Sequence, residues 1–166
     1  MSSRPQRTKT AKRRTGATRK DAERRRLAAE SRARQDEQPP LPVAWCDGGV
    51  RGGRAAAAFV LCSAAGRVIG EHACVVNTDS VEEAECAAVA AALERAAELR
   101  LEELEVRLDS QVVVGWLTGA PRPGWSRRAL RPVLAQLPRI GRVSFRWVPR
   151  EANAHVDRLV AEALAG

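Results

Sequence analysis

The apolar and polar positions fall into blocks with different periods. Val43 to Cys46 is a short apolar run that ends on Asp47 and two glycines, and it predicts a strand over Val43–Asp47 with a loop over Gly48–Gly53. Ala56–Ser63 is a second apolar run, of the kind found in the middle of a sheet. Ala65-Gly66 turn the chain, and Val68–Val76 continue as a third strand. Short links between three strands predict an antiparallel meander. The period then changes. Ala84, Ala87, Ala88, Ala91 and Ala92 recur at helical spacing, and Ser80 with Glu83 has the spacing of a capping box. From Leu104 to Asp109 the alternation is again two: Leu104, Val106 and Leu108 against Glu105, Arg107 and Asp109. A strand after a helix is expected parallel to the first strand.

Gln111–Leu117 reads as a short helix and Thr118–Trp125 as a loop. Ser126 can cap a helix over Arg127–Leu137. Val143–Val148 reads as a last strand stopped by Pro149, and Asn153 can cap a final helix ending at Ala165. The predicted fold class is α/β: a five-stranded mixed sheet, three antiparallel strands and then two parallel ones, with helices on both faces.

Charge divides the chain at its prolines. Residues 1–40 carry 13 Lys and Arg against 5 acids, a net +8, while residues 41–166 balance 15 against 15. Residues 1–18 are Ser/Thr/Lys/Arg-rich and are expected to be disordered. Residues 19–38 favour a helix, but Leu27 is their only large apolar residue, so no face could dock on a core. Pro39, Pro40 and Pro42 close this segment. The expected organisation is a basic tail, 1–40, and one domain, 41–166. Such a tail suits an anionic partner, nucleic acid above all, and equally a solvated extension that aids solubility.

Cys46, Cys62, Cys74 and Cys86 stand apart in apolar stretches, with no Cys-x-x-Cys, and the histidines are His72 and His155. A zinc site is not expected. The thiols are expected to be buried and free, in a reducing compartment such as the cytoplasm. No apolar run follows the first basic residues, so a secretory signal is not expected there, and no run of about 18 apolar residues that could span a membrane occurs.

Four acids occupy comparable places. Asp47 and Asp109 end predicted strands, while Glu85 and Asp157 lie one turn into predicted helices. Taken singly, each has a plain alternative: a turn residue, a helix-surface charge, a cap, or half of a pair between Asp157 and Arg150 or Arg158. Parallel strands finish at one sheet edge, so Asp47 and Asp109 should converge. Clustered carboxylates repel unless cations fill them, and oxygen ligands suit magnesium or manganese.

Residues 42–165 resemble the ribonuclease H type 1 family, its short bacterial and plant relatives in particular. The resemblance lies in Asp47-Gly48, in Ala84-Glu85-Cys86 opening an Ala-rich helix, in Asp109-Ser110-Gln111, and in Val148-Pro149-Arg150-Glu151 followed by Asn153 to Asp157. It implies hydrolysis of RNA paired to DNA with two divalent ions, Mg2+ or Mn2+, held by Asp47, Glu85, Asp109 and Asp157, with Asp47 bridging. It implies that the backbone at Gly48 and Gly49 meets the RNA strand, and that Ser110, Gln111, Arg150 and Asn153 support the ligands or contact phosphates. His155 lies near the place where some relatives carry a mobile catalytic histidine and is a candidate proton shuttle. Two segments depart from the family: Arg51-Gly-Gly-Arg54 after the first acid, and Ser80-Val81-Glu82 before the second. Glu82 would repel a phosphate. Trp125, Arg127 and Arg128 are a candidate second contact, or else a core-anchored Trp beside solvated arginines. The competing readings are a non-cleaving nucleic-acid-binding protein that uses this fold and its tail, and another nuclease of the same superfold.

Overall fold

The structure, a computed structural model, describes Glu23, Arg26, residues 40–119 and residues 126–166. The chain divides into two units, Met1–Pro39 and Pro40–Gly166. In the first, Glu23 and Arg26 are helical. The other expectations for the tail, and those for Trp125, lie outside the described residues.

The second unit is a five-stranded sheet in the order β3-β2-β1-β4-β5. Strands β1 (Val43–Arg51), β2 (Arg54–Cys62) and β3 (Val68–Val76) form the antiparallel meander, and β4 (Glu103–Leu108) and β5 (Arg142–Trp147) extend it in parallel. Helices α1 (Val81–Glu98), α2 (Gln111–Thr118) and α3 (Arg127–Gln136) pack on one face, and α4 (Ala154–Ala165) packs on the other. Among the described residues no helix is long and apolar enough to cross a membrane.

Strand β1 is longer than the sequence predicts. It runs through Asp47, Gly48 and Gly49 to Arg51, so the expected loop over Gly48–Gly53 is replaced by a hairpin in register Arg51↔Arg54. The turn is only Gly52-Gly53, at φ +57° and +75°. Positive φ at both central residues is the turn that matches strand twist, and glycine adopts it without strain. The other two glycines serve packing. A methyl on Gly48 would overlap the carbonyl carbon of Ala84 and the nitrogen of Glu85. One on Gly49 would press on Val160 of α4.

The alanines of α1 serve the same close fit. Ala88, Ala92 and Ala96 are fully buried with Val89 and Leu93 in one core with Ala44, Cys46, Leu104 and Val106, and Ala84, also fully buried, lies against Gly48. Ser80 caps the helix, accepting from the Glu83 N–H at 3.2 Å. The return half of the capping box is absent. Glu83 accepts from Thr78 Oγ1 at 2.6 Å, and Thr78 Oγ1 accepts from the Ser80 N–H at 3.1 Å.

Candidate functional site: a buried carboxylate cluster

The parallel pairing of β1 and β4 is short. It covers Val43↔Glu105, Ala44↔Val106 and Trp45↔Arg107, and then the strands part. Asp47 lies just beyond the fork on β1, and Asp109 follows the last residue of β4. Glu85 comes over the edge from α1, which the bare Gly48 lets sit directly on β1. Carboxylate oxygens of Asp47, Glu85 and Asp109 lie within 4.8 Å of one another. Asp47 is 6% and Glu85 4% exposed.

No protein donor reaches Glu85 Oε2, one of two buried side-chain oxygen atoms without a partner among the described residues. The electrostatics follow. Burial, then the Asp47, Asp109 and Glu82 charges, push the Glu85 carboxyl up to about 9, against a weaker pull from Arg150. Burial, then Asp109 and Asp157, push Asp47 up to about 7, with Arg150 and the Gly48 N–H acting the other way. The cluster is therefore short of positive charge. Two oxygens on opposite sides of a magnesium ion stand about 4.2 Å apart at ~2.1 Å per bond. A cluster within 4.8 Å is a few tenths of an ångström from such a shell. Oxygen donors, high negative charge and an orphaned buried oxygen fit a hard divalent cation.

The other expected site residues fall in three groups. Asp157 stays at the rim, paired with Arg150 as the plainer reading allowed, although its charge still acts on Asp47. Ser110 caps α2, accepting from the Val113 N–H at 3.3 Å, and Gln111 is exposed at the first residue of that helix. His155 is not brought to the cluster; its Nε2 lies 3.1 Å from Glu71 on the outer strand β3. Asn153 departs most from expectation. It makes no side-chain cap, and at 1% exposure it is closed to a bound strand. Its Nδ2 donates to the Cys46 carbonyl at 2.9 Å instead. At Gly48 and Gly49 the missing side chains are accounted for by α1 and α4.

At the departing segments, Ser80 Oγ donates to Glu82 at 3.0 Å, and Arg54 donates to the Leu164 carbonyl at 3.2 Å, closing the end of α4. Arg128 pairs with Glu83 at 3.2 Å. All four cysteines are free; Cys46 and Cys86 are buried as expected, but Cys62 and Cys74 only half-buried. Sequence reasoning missed Trp147, whose indole N–H donates to the Asp109 carbonyl at 3.0 Å. In the sequence it is simply one more residue of a strand.

A mixed sheet in this order, flanked by helices, with acids from β1, α1 and the end of β4 meeting at a fork, defines a ribonuclease H-like domain with a cation-type carboxylate site. Residues 46–163 match the reverse transcriptase-like family. A curated relative, ribonuclease HI of Halobacterium salinarum, is 36% identical over 73% of this chain, and the match spans 63% of the relative's length. The crystal structure of ribonuclease H1 from that archaeon superposes with a TM-score of 0.68 at 33% identity, covering 75% of this chain and 98% of that one. A compost-derived ribonuclease H1, solved in complex with an RNA/DNA hybrid, gives a TM-score of 0.65 at 27% identity over 74% of this chain and 95% of its own. The chain belongs to the ribonuclease H type 1 family.

Proposed function

We propose that residues 41–166 form an endoribonuclease that hydrolyses the RNA strand of RNA–DNA hybrids with two divalent ions, Mg2+ or Mn2+. The observation that carries this reading is the buried cluster of Asp47, Glu85 and Asp109 with its unpartnered Glu85 oxygen. These three acids would hold one ion, with Asp47 shared between the two, and Asp157 would complete the second place at the rim. Bound ions lower the pKa of a water and stabilise the leaving oxygen of a phosphodiester. The chain's own contribution is to keep three acids together against their repulsion and to keep Asp47 and Glu85 largely dry. Arg150, mostly exposed and paired with Asp157, would meet a phosphate when a substrate lies across the fork. Ser110 and Gln111 sit beside Asp109, at the N-terminus of α2, where a backbone phosphate is favoured. The compost enzyme's complex supports a hybrid as substrate, and the +8 of residues 1–40 supports a nucleic-acid partner. Four free thiols support a reducing, cytoplasmic setting.

The test incubates the full chain with matched RNA–DNA hybrid, double-stranded RNA, single-stranded RNA and duplex DNA. Each runs with magnesium, manganese or chelator, beside Asp47→Asn. Metal-dependent cutting of the hybrid's RNA strand, lost in the variant, is expected. No cutting, with salt-sensitive binding retained, would turn the function to a non-cleaving nucleic-acid-binding protein.

A further inference from the structure

The fork between β1 and β4 raises a question of rigidity. Beyond Trp45↔Arg107 the two strands share no ladder, yet the acids they carry, Asp47 and Asp109, are brought together against mutual repulsion. Backbone carbonyls at such a fork lack their usual partners. Two side-chain donors reach them. Asn153, at the start of α4, donates through Nδ2 to the carbonyl of Cys46, the residue before Asp47, at 2.9 Å. Trp147, the last residue of β5, donates through its indole N–H to the carbonyl of Asp109 itself, at 3.0 Å. The two donors come from elements on different sides of the fork. Asn153 is 1% exposed and its Oδ1 has no partner among the described residues, so the Cys46 contact is the hydrogen bond that this buried amide makes among them. Trp147 is 44% exposed, too open for its ring to be held by burial alone.

We propose that Asn153 and Trp147 are positioning residues that replace the missing β1–β4 hydrogen bonds and set the spacing of Asp47 and Asp109, and so the affinity for divalent cations. This rests on the proposed cation site and adds residues that touch neither ion nor substrate. A side-chain hydrogen bond contributes roughly the equivalent of a 2- to 12-fold change in an equilibrium constant, so the loss of either tether is expected to weaken cation binding about 3- to 10-fold.

The experiment measures Mn2+ binding to the full chain without nucleic acid, by electron paramagnetic resonance of the free ion, for wild type, Trp147→Phe, Asn153→Ala, Val160→Ala and Asp47→Asn. Trp147→Phe keeps an aromatic side chain and removes the N–H donor, together with the five-membered ring that carries it. Val160→Ala loosens the packing of α4 on Gly49 and β2 while leaving both side-chain hydrogen bonds in place. Weaker Mn2+ binding in Trp147→Phe and Asn153→Ala, with Val160→Ala within about 2-fold of wild type, is expected. Hybrid cleavage should show the matching split, kcat lowered at subsaturating metal with KM for the hybrid little changed. Should Asn153→Ala not fold, Trp147→Phe alone decides. Unchanged Mn2+ affinity in folded Trp147→Phe, or an equal loss in Val160→Ala, overturns the positioning role and leaves the nuclease reading standing. Wild type binding no better than Asp47→Asn overturns both.

Discussion

In chelator, the cluster should make this protein less stable as pH rises. The perturbation is Glu85→Gln, which keeps the shape and removes the charge. Glu85 titrates near 9 in the folded chain against an ordinary 4.5. Its folded-state value is raised, so its contribution to stability is whole below about pH 4.5 and is lost as pH climbs through about 9. Within that window the folded state keeps one proton that the unfolded state releases, which costs about 1.4 kcal/mol per pH unit. Asp47, raised to about 7, adds a like slope only below that pH. Between pH 7.5 and 8.5 the slope is therefore mostly that of Glu85, with a part from the buried thiols Cys46 and Cys86, both raised by burial and common to both proteins.

Against a total stability of about 5–15 kcal/mol the change is easily measured. The assay is urea unfolding at pH 7.5, 8.0 and 8.5 in chelator, wild type beside Glu85→Gln, read as midpoint shifts at constant slope. Wild type should lose about 1.4 kcal/mol more than the variant across the interval. Saturating Mg2+ should reduce or reverse the loss, since an ion favours the ionised acids. A wild-type stability that is flat or rising in chelator, or equal slopes in the two proteins, would refute a Glu85 proton held by burial and its neighbours.

Other expectations concern the scaffold. Gly48→Ala should destabilise the fold by roughly 1–3 kcal/mol or more, because the methyl meets the backbone of α1 rather than a mobile side chain; it should also weaken Mn2+ binding by moving Glu85. Urea unfolding and ion titration check both. Ser80→Ala should cost about 1 kcal/mol by uncapping α1, read as a lower thermal midpoint. Asp109→Asn should fold as well as wild type or better in chelator, since it removes one of the mutually repelling charges, while losing metal-dependent cleavage.

The sequence alone determined the order and type of the elements. The alternation from Leu104 to Asp109 and the alanines of α1 are local signals, and the strand and the helix obeyed them. It also named four acids, of which the structure gathers Asp47, Glu85 and Asp109; the shared edge of parallel strands accounts for Asp47 and Asp109, while Glu85 was marked by its place one turn into a helix and by the family resemblance. What only the tertiary structure decided was how closely things approach. The pair Gly48-Gly49 looks like a turn from within its own segment. It is strand, because β2 pairs along it and because α1 and α4 occupy the space a side chain would need. Asn153 has the spacing of a helix cap, yet its amide is drawn to a carbonyl 107 residues away, left free where β1 and β4 part. His155 stands two residues from Asp157 but on a helix, where such neighbours face apart, and Glu71 holds it. Local periodicity reports what a segment buries. It does not report which distant backbone group a side chain will reach, and that decided where the Asn153 amide and the Trp147 indole point.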